Sequence, residues 1–430
     1  MSIIKTLYTG VAGLTSHGKA LGVVGDNIAN VNTTGYKAES VVFADVLGHS
    51  ILATDAPGSG STVSGITRIF SQGTFITTES PTDLAINGTG FFVVNGNIGG
   101  WNDNFYTRAG QFTLDNTGAL VNPDGLTLQG YLVNSSGQIS NQLTDLRIAN
   151  TILPPEETRN VDITANLDSG ASIPTAPWNL ADPAFDPGVA SNFSTAITVY
   201  DSLGESHRMD VYFTKTGANA WSWAALVDDG DLGGTPGAYA QVGNGTLSFT
   251  TDGFLNDDTS APFAVTFDGA SPQDIQMDFG DSIVEGGTGL DGVTQYAASS
   301  IIRSQEQDGY GTGELNGVGV QGNGGVMAIY SNGEQRLVGQ VALATFEAEG
   351  ELARAGGNLW TETQASGAAR VGGAGEGSAG SITSNALEQS NVDLAAEFVD
   401  LIAYQRGFQA NSRTITTADQ LYQEIVNLKR

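Results

Sequence analysis

The apolar positions at the two ends of the chain recur every seven residues, and no comparable series lies between them. The series comprises Leu7, Leu14, Leu21 and Ile28 near the N-terminus and Leu394, Leu401, Phe408, Ile415 and Tyr422 near the C-terminus. A strict seven-residue spacing places side chains in a narrow seam along a helix, which suits packing against other helices. We therefore expect both ends to be helical and to pair as a coiled-coil-like stalk.

Small residues form a second stripe beside the N-terminal seam. On a helix, Gly18, Gly22, Gly25 and Ala29 lie next to it and would let a neighbouring backbone approach closely. Each glycine costs up to about 1 kcal/mol of helix propensity relative to alanine. This helix is therefore expected to depend on packing partners for its order.

The C-terminal helix is predicted to run from about Val392 to Leu428. Ser390 and Asn391 are good N-cap residue types, and Ser390 with Asp393 has the spacing of a capping box. A helix of this length without internal proline favours a rod over an element of a globular core.

Between the ends, short apolar runs are separated by turn residues, and the 58 glycines indicate a turn-rich β body. One run, Phe91 to Val94, is followed by Asn95-Gly96, a dipeptide typical of a hairpin turn. A proline-rich stretch within residues 154–187 separates this first β block from a second one. From about residue 300 the style of the first block returns, so we infer nested β domains.

Two segments rich in small residues, Ala53 to Gly65 and Gln364 to Ser381, are predicted to be connectors. The resulting fold class is mainly β with terminal α-helices, and nested discontinuous antiparallel β domains lie between the paired helices. The predicted domains are a terminal helical polymerisation domain (1–32 and 385–430), a connector (33–70 and 364–384), an inner β domain (71–150 and 300–363) and an outer β domain (151–299).

The net charge of −29 lies almost entirely in the middle of the chain. Residues 1–50 carry three acidic and three basic side chains and residues 385–430 carry six and four, which leaves −27 for the rest. Such a surface repels phosphate backbones and anionic lipid, so we expect no nucleic-acid binding. No stretch approaches the roughly 20 apolar residues that span a bilayer, and the start lacks the apolar run of a cleaved secretory signal. We therefore expect no membrane insertion.

Two segments resemble chemical sites without completing one. Residues 13–19 approach a phosphate-binding loop, but Ala20 stands where a magnesium-binding hydroxyl is needed, and no strand precedes the segment. Asp228, Asp229 and Asp231 lack the glutamate that closes a calcium-binding loop. We interpret these aspartates as a solvated hairpin tip.

The remaining candidates for metal or catalytic chemistry are scattered. His17, His49 and His207 fall on different predicted elements without a second ligand at metal-binding spacing, and the chain has no cysteine for disulfides or thiolate sites. No single pair of carboxylates is marked for acid and base work. The sequence therefore predicts no catalytic, cofactor-binding or metal site, and the protein is not expected to be an enzyme.

One alternative of a different class stays open. Trp221 and Trp223 alternate on one face of a predicted strand and could serve as stacking platforms for a sugar, although this spacing more often marks a core. On that interpretation the chain is a secreted acidic β protein that binds carbohydrate or a surface receptor through residues 151–299.

Several longer motifs resemble those of one family. They are Asp26 to Asn30 and Thr34 to Lys37, which contain Asn27, Asn30, Gly35 and Tyr36, and the segments Asn87 to Val94, Tyr106 to Phe112, Asn358 to Trp360, Ser390 to Leu394 and Ala403 to Arg406. These motifs are similar to those of the bacterial flagellar axial proteins, the rod and hook family. The insert near residues 151–299, in which Val199 to Gly204 is similar to the outer domain of hook proteins, favours the hook branch.

The resemblance implies a structural subunit of the flagellar hook, located outside the cell. Its terminal helices, through the seam residues named above, would polymerise into a bendable helical tube, a universal joint that transmits torque from rod to filament. The implied partners are further copies of the chain, the distal rod protein, the hook cap, the hook-filament junction proteins and the flagellar type III export apparatus. Export would proceed without cleavage of a signal peptide.

Overall fold

The computed structural model of the protein describes residues 3–46, 58–134, 137–148, 151–180, 182 and 185–428. His49 and the first part of the predicted connector, residues 53–57, lie outside these residues. Contacts divide the chain into two compact units. The first unit comprises residues 1–149, 316–329 and 335–430, and the second comprises residues 150–315 and 330–334.

The terminal helices pair with each other in the first unit. They are α1 (Ile3–Ala29) and α3 (Leu394–Leu428), while the short α2 (Pro187–Ala190) lies in the second unit. Near one end of the pair Gly10 faces Ile415, and near the other Asn27 bonds to Glu397, so α1 and α3 run antiparallel. The predicted pairing of the terminal helices is confirmed.

Helix α3 begins at Leu394 rather than near Val392, and a different residue caps it. The side chain of Asp393 accepts hydrogen bonds from the backbone nitrogens of residues 395 (2.9 Å) and 396 (3.3 Å). The predicted cap Asn391 instead accepts from the backbone nitrogen of Ala38, before β1, and donates to the carbonyl oxygens of Ile69 and Ser71, after β2. The helix therefore begins two residues after the predicted start, because Asp393 rather than Asn391 caps its first turn.

The strands fall into three groups along the chain. The first group is β1 (Glu39–Asp45), β2 (Ser61–Arg68), β3 (Phe75–Thr77), β4 (Leu84–Asn87), β5 (Phe91–Ile98), β6 (Trp101–Thr107), β7 (Thr113–Leu114), β8 (Leu120–Val121), β9 (Thr127–Val133) and β10 (Ile139–Asp145). The second is β11 (Ile152–Leu153), β12 (Asn160–Asp168), β13 (Phe193–Tyr200), β14 (Ser206–Gly217), β15 (Ala220–Asp228), β16 (Tyr239–Phe249), β17 (Leu255–Thr259), β18 (Phe263–Val265), β19 (Gln273–Asp278), β20 (Thr294–Tyr296) and β21 (Ile301–Gln307). The third is β22 (Gly313–Val320), β23 (Gly325–Tyr330), β24 (Gln335–Thr345), β25 (Ala353–Gly356), β26 (Leu359–Thr361), β27 (Arg370–Gly373), β28 (Ser381–Ser384) and β29 (Ala386–Glu388).

The β body of the first unit combines strands from both sides of the second unit in sequence. Its main sheet includes the path β23-β24-β9-β5-β6-β26-β25, with β10 on β9 and β27 on β24. Its core includes buried Phe91, Val93, Tyr106, Leu352 and Trp360. Two-stranded pairs β4–β28 and β3–β29 then lead the chain from this body to α3.

The predicted hairpin turn at Asn95-Gly96 was wrong. Strand β5 continues through these residues, and the turn lies at Gly99-Gly100, where φ is +60° and +93°. Gly96 serves a different purpose, because a Cβ there would lie 2.5 Å from Cδ2 of Leu126. The glycine therefore permits close packing within the sheet rather than chain reversal.

Both segments predicted to be connectors contain strands. In the first, β2 begins at Ser61 and pairs with β1. In the second, β27 pairs with β24, and Ser381 opens β28. Some of the glycines there allow close approach: a Cβ at Gly380 would lie 2.5 Å from the carbonyl oxygen of Asn87. The glycine content therefore reflects sheet packing as well as turns.

The second unit is built from two five-stranded sheets around one hydrophobic core. One sheet is the antiparallel meander β13-β14-β15-β16-β17. Trp221 and Trp223 are 0% and 1% exposed in its core, and Nε1 of Trp221 donates to Oε1 of Gln295 (2.8 Å). The stacking-platform interpretation of these tryptophans was wrong, because neither ring can receive a sugar.

The other sheet departs from the predicted antiparallel arrangement. Strand β12 pairs in parallel with β19 and with β20, and antiparallel with β21. More than a hundred residues, including the whole meander, separate β12 from β19. A connection of this length allows the parallel pairing that a tight hairpin cannot make.

Candidate functional site at the paired helices

Small side chains on α1 bring its backbone close to α3. A Cβ at Gly10 would lie 2.8 Å from Cγ1 of Ile415, and one at Gly13 would lie 2.5 Å from Oδ1 of Asn411. Further along the same face, Ala20 is fully buried. Close approach of the two helices therefore depends on the absence of larger side chains at these positions.

The predicted seam of α1 lies beside this contact rather than at its centre. Leu7, Leu14, Leu21 and Ile28 are all half-buried. The fully buried face consists of Gly10, Gly13, Ser16, Ala20, Val24 and Asn27. Sequence reasoning missed this face because it followed the large apolar residues, although the small ones recur at helical spacings of three and four.

Most of the predicted glycine stripe of α1 is left uncovered by α3, although a Cβ at Gly18 would lie 3.9 Å from Cε2 of Phe408. Gly18, Gly22, Gly25 and Ala29 are exposed, and a Cβ at Gly22 or Gly25 would meet no other atom of the described residues within 4 Å. The backbone of α3 therefore does not pack on this stripe, and the stripe is open to another chain.

Helix α3 contacts α1 along one face only. Of its predicted seam, Leu401 and Ile415 are half-buried, whereas Leu394, Phe408 and Tyr422 are exposed. More apolar side chains of α3 are also exposed, namely Phe398, Val399, Ile402, Leu421, Ile425 and Val426. Val399 is 66% exposed. A single chain thus leaves a large apolar surface of this helix in contact with water, which is typical of an interaction site.

The C-terminal end of α1 is joined to neighbouring elements through Asn27. Its Nδ2 donates to the carbonyl oxygen of Glu39 and to Oε1 of Glu397, both at 2.8 Å. Its Oδ1 accepts from the backbone nitrogen of Glu39 (3.0 Å) and from the hydroxyl of Tyr36 (3.2 Å). One buried amide therefore links α1, β1 and α3, and it uses its full hydrogen-bonding capacity.

A buried ion cluster joins Lys37, Arg108 and Glu388 near the same end of the helix pair. The Lys37 Nζ lies 2.7 Å from Oε1 of Glu388, and the Arg108 guanidinium lies 3.3 Å from its Oε2. The side chains of Lys37 and Glu388 are fully buried. Burial lowers the pKa of Lys37, and Glu388 opposes that shift. The cluster joins the segment after α1, strand β29 before α3, and the end of β6.

Gly35 and Asn30 shape the turn between α1 and β1. Gly35 has φ +68°, and a Cβ there would lie 2.5 Å from the backbone nitrogen of Ala109. Asn30 bonds locally, since its Nδ2 donates to the carbonyl oxygen of Asp26 (2.9 Å). Glycine at residue 35 is therefore required by both its conformation and the lack of space.

Four protein-family models match the chain in sequence order. Their descriptions are flagella basal body rod protein (residues 7–37), flagellar hook protein FlgE/F/G D1 domain (85–166), flagellar basal body protein FlaE D2 domain (166–310) and flagellar basal body rod FlgEFG protein C-terminal (383–428).

Full-length relatives agree with these matches. The flagellar hook protein FlgE of Borreliella burgdorferi is 35% identical and spans 99% of this chain and 100% of its own. The FlgE of Escherichia coli strain K12 is 36% identical over 97% of this chain and 98% of its own. The chain belongs to the flagellar hook protein family. A crystal structure of a Helicobacter pylori hook protein, FlgE2, is a more distant likeness, with 16% identity and a TM-score of 0.47 over 67% of this chain and 94% of that one.

Membership in the hook protein family confirms the resemblance drawn from the sequence motifs. Three of those motifs meet at the junction between the helices and the β body: Asn27 bonds to Tyr36, and Lys37 and Arg108 share Glu388, which lies outside the motifs. Nothing in these comparisons supports the carbohydrate-binding alternative. Among the described residues, no helix is both long and apolar enough to cross a membrane.

Proposed function

We propose that this protein is a structural subunit of the bacterial flagellar hook, which self-assembles into a bendable helical tube and transmits torque from rod to filament. The observation that carries the proposal is the exposed apolar face of α3, which includes Val399 and Tyr422. Neighbouring copies in a tube would remove this surface from water, at roughly 25 cal/mol for each Å² of apolar surface buried.

The predicted polymerisation residues divide into two roles. Leu401 and Ile415, with the half-buried Leu7, Leu14, Leu21 and Ile28, support the pair of helices within one subunit. Leu394, Phe408 and Tyr422 are exposed and would contact neighbouring subunits. The open glycine stripe of α1 gives a neighbouring backbone room to approach.

The domain assignment proposed from the sequence assigns different tasks to different parts of the chain. Residues 1–32 and 385–430 would polymerise, while the inner β domain (71–150 and 300–363) and the outer β domain (151–299) would slide against their neighbours as the tube bends. Residues 33–70 and 364–384 would connect them. The buried cluster around Glu388 supports mechanical coupling of the helices to the inner β domain.

Hook-family membership also motivates the proposed partners and location. Besides further copies of itself, the subunit would contact the distal rod protein, the hook cap and the hook-filament junction proteins. The flagellar type III export apparatus would deliver it to the extracellular hook without cleavage of a signal peptide. Its role would be structural rather than enzymatic, and it would not bind nucleic acid or insert into membrane.

Assembly of purified full-length protein tests the polymerisation role. Val399→Asp places a charge on the exposed apolar face, so we expect loss of sedimentable tubes and of tubes in electron micrographs. Circular dichroism should still report a folded subunit, because Val399 is 66% exposed. Gln409→Asp is the matched control, since it adds the same charge at an exposed polar position of α3 and should assemble. Normal tubes from Val399→Asp would contradict the proposal.

A further inference from the structure

The turn between β13 and β14 gathers three possible metal ligands. Asp201, Glu205 and His207 each offer an atom, and these atoms lie within 4.8 Å of one another. Pairing of β13 with β14 sets this geometry, because Val199 is opposite His207 and the intervening residues reverse the chain. Gly204, with φ +84°, completes the turn. Ligands that are separated along the sequence thus meet at the end of one hairpin.

One oxygen of the Asp201 carboxylate is held by backbone hydrogen bonds, and the other lies near His207. Its Oδ1 accepts hydrogen bonds from the backbone nitrogens of Leu203 (2.9 Å) and Glu205 (2.8 Å). Its Oδ2 lies 3.6 Å from Nε2 of His207. The turn therefore holds Asp201 rigidly while one oxygen points toward the imidazole.

His207 is buried, oriented and unpartnered at its Nε2. The side chain is 8% exposed, and the ring stacks on Phe267 with 3.9 Å between centroids and 6° between planes. Among the described residues, Nε2 has no hydrogen-bond partner, whereas Nδ1 lies 3.3 Å from Oδ2 of Asp231. A buried nitrogen without a partner costs free energy, so its position calls for a ligand.

We propose that Asp201, Glu205 and His207 form a binding site for a divalent transition-metal ion of the Zn²⁺ class. His207 would coordinate through Nε2, Asp201 through Oδ2 and the exposed Glu205 through its carboxylate, and water would complete the shell. Asp231 would orient the ring from the far side, as carboxylates do for metal-binding histidines. The imidazole favours Zn²⁺ over Ca²⁺ or Mg²⁺, which prefer oxygen ligands throughout.

The observed separation fits shared coordination better than direct hydrogen bonding. Two ligands at about 2.0–2.1 Å from a tetrahedral ion lie about 3.3 Å apart, close to the 3.6 Å between Nε2 of His207 and Oδ2 of Asp201. A charge-assisted hydrogen bond between an imidazolium and a carboxylate would be about 2.7–2.9 Å. The ion would cross-link residues at the turn of this hairpin, and Asp231 would hold the imidazole from a neighbouring loop.

Neither His207 nor the aspartate cluster was predicted from the sequence to bind a metal. His207 has no histidine partner at helical spacing, and the cluster at Asp228, Asp229 and Asp231 did not fit a calcium loop. In the structure Asp228 and Asp229 accept hydrogen bonds from backbone nitrogens of their own loop, which leaves Asp231 to face the imidazole. The hairpin register, which sequence spacing does not reveal, brings the two parts together.

The test is Zn²⁺ binding to the metal-stripped full-length chain without a polyhistidine tag, by equilibrium dialysis with elemental analysis. We expect one ion per chain at this site, at least tenfold weaker affinity in Glu205→Gln and no site-specific binding in His207→Asn. Co²⁺ in place of Zn²⁺ should give a visible absorption band that His207→Asn abolishes. Glu306→Gln, an equal change of charge at an exposed position of the same unit, should bind like the parent.

Two results would overturn the proposal. One is Zn²⁺ binding of the parent no stronger than that of His207→Asn. The other is equal affinity in the parent and in Glu205→Gln. The second comparison remains decisive even if His207→Asn fails to fold, because Glu205 is exposed and its substitution leaves the core intact. Asp231→Asn, which changes only the orienting group, should weaken Zn²⁺ binding less than His207→Asn does.

Discussion

The second unit and the helix pair bury their apolar residues to very different extents. In the second unit the two sheets enclose their large side chains, and Trp221 and Trp223 are almost inaccessible to water. In the helix pair, α3 presents apolar residues on both of its faces and α1 can cover only one, so Tyr422 remains 51% exposed. One region thus obtains its stability from its own chain, whereas the other retains surface that further copies can cover.

This difference explains why the junction between helices and β body is built from charge and hydrogen bonds. A helix pair with one free face needs an anchor within its own subunit that does not depend on neighbours. Glu388, bonded to Lys37 and Arg108, supplies that anchor where α1 and α3 meet the sheets. We expect these buried charges to specify one arrangement of helices and sheets, because misplacing any partner would leave another unpaired.

The largest expected effect comes from removing that anchor. Glu388→Ala leaves Lys37 and Arg108 buried without their anion, and we expect a loss of about 3–5 kcal/mol in the free energy of unfolding of the first unit. Hydrogen exchange followed by mass spectrometry should show lost protection in α1 and β29, with the second unit unchanged. Glu376→Ala, at an exposed position, should change stability by less than about 0.5 kcal/mol. Equal effects of the two substitutions would show that the cluster is not an anchor.

A smaller loss is expected from the core of the second unit. Trp221→Phe removes buried volume and leaves Oε1 of Gln295 without its donor, so we expect about 1–3 kcal/mol of destabilisation. Faster hydrogen exchange in β15 would measure this loss of stability. Trp101→Phe is the matched control, because Trp101 is 79% exposed and its replacement should be nearly neutral. If Trp221→Phe proved equally neutral, the enclosed core that distinguishes this unit would be in doubt.

The contrast also shows what the sequence could predict. The composition and the seven-residue apolar spacing predicted the large-scale features, which are the helical ends, the β middle and the pairing of segments far apart in sequence. The finer assignments failed where one residue serves a tertiary contact. Asn391 looks like a helix cap but bonds to the backbone of Ala38 and Ile69, and Gly96 looks like a turn residue but makes room for Leu126. Local propensity predicts neither use, because the partner residues come from distant segments.

Among the functional residues too, the sequence predicted those with a strong apolar pattern and missed those that serve tertiary contacts. The seam of large apolar residues was visible in the sequence, and it marks α3 residues such as Phe408 that remain exposed. The face that joins the helices within one chain was not recognised, because glycine and alanine carry little hydrophobic signal. Asn27 was identified only through its family motif, since a polar residue gives no periodic signal.

Two glycine substitutions on α1 are expected to have opposite signs. Gly10→Ala drives a methyl group into Ile415, whose branched side chain has little rotamer freedom in a helix, and should destabilise the pair by about 1 kcal/mol net of the propensity gain. The methyl group of Gly22→Ala would meet no other atom of the described residues, so this change should stabilise α1 by up to about 1 kcal/mol. Thermal unfolding of the subunit, followed by the helical signal in circular dichroism, measures both changes in stability. In tubes, Gly22→Ala should instead impair assembly if a neighbouring backbone occupies the stripe.

The smallest effect is expected from the pH dependence at Glu397, where α3 meets Asn27. Burial raises the pKa of this carboxyl, so the folded chain binds its proton more tightly than the unfolded chain does. The wild type should therefore gain stability relative to Glu397→Gln as the pH falls from 7 toward the ordinary value of about 4.3, and lose that gain as the pH rises again. Tm measured against pH for both proteins tests the sign, and Glu424→Gln, at an exposed site on α3, should follow the wild type. A difference that grows on acidification in favour of Glu397→Gln would mean that the carboxylate is stabilised by Asn27 more than it is penalised by burial, and that the helix pair is held at this end by charge rather than by packing.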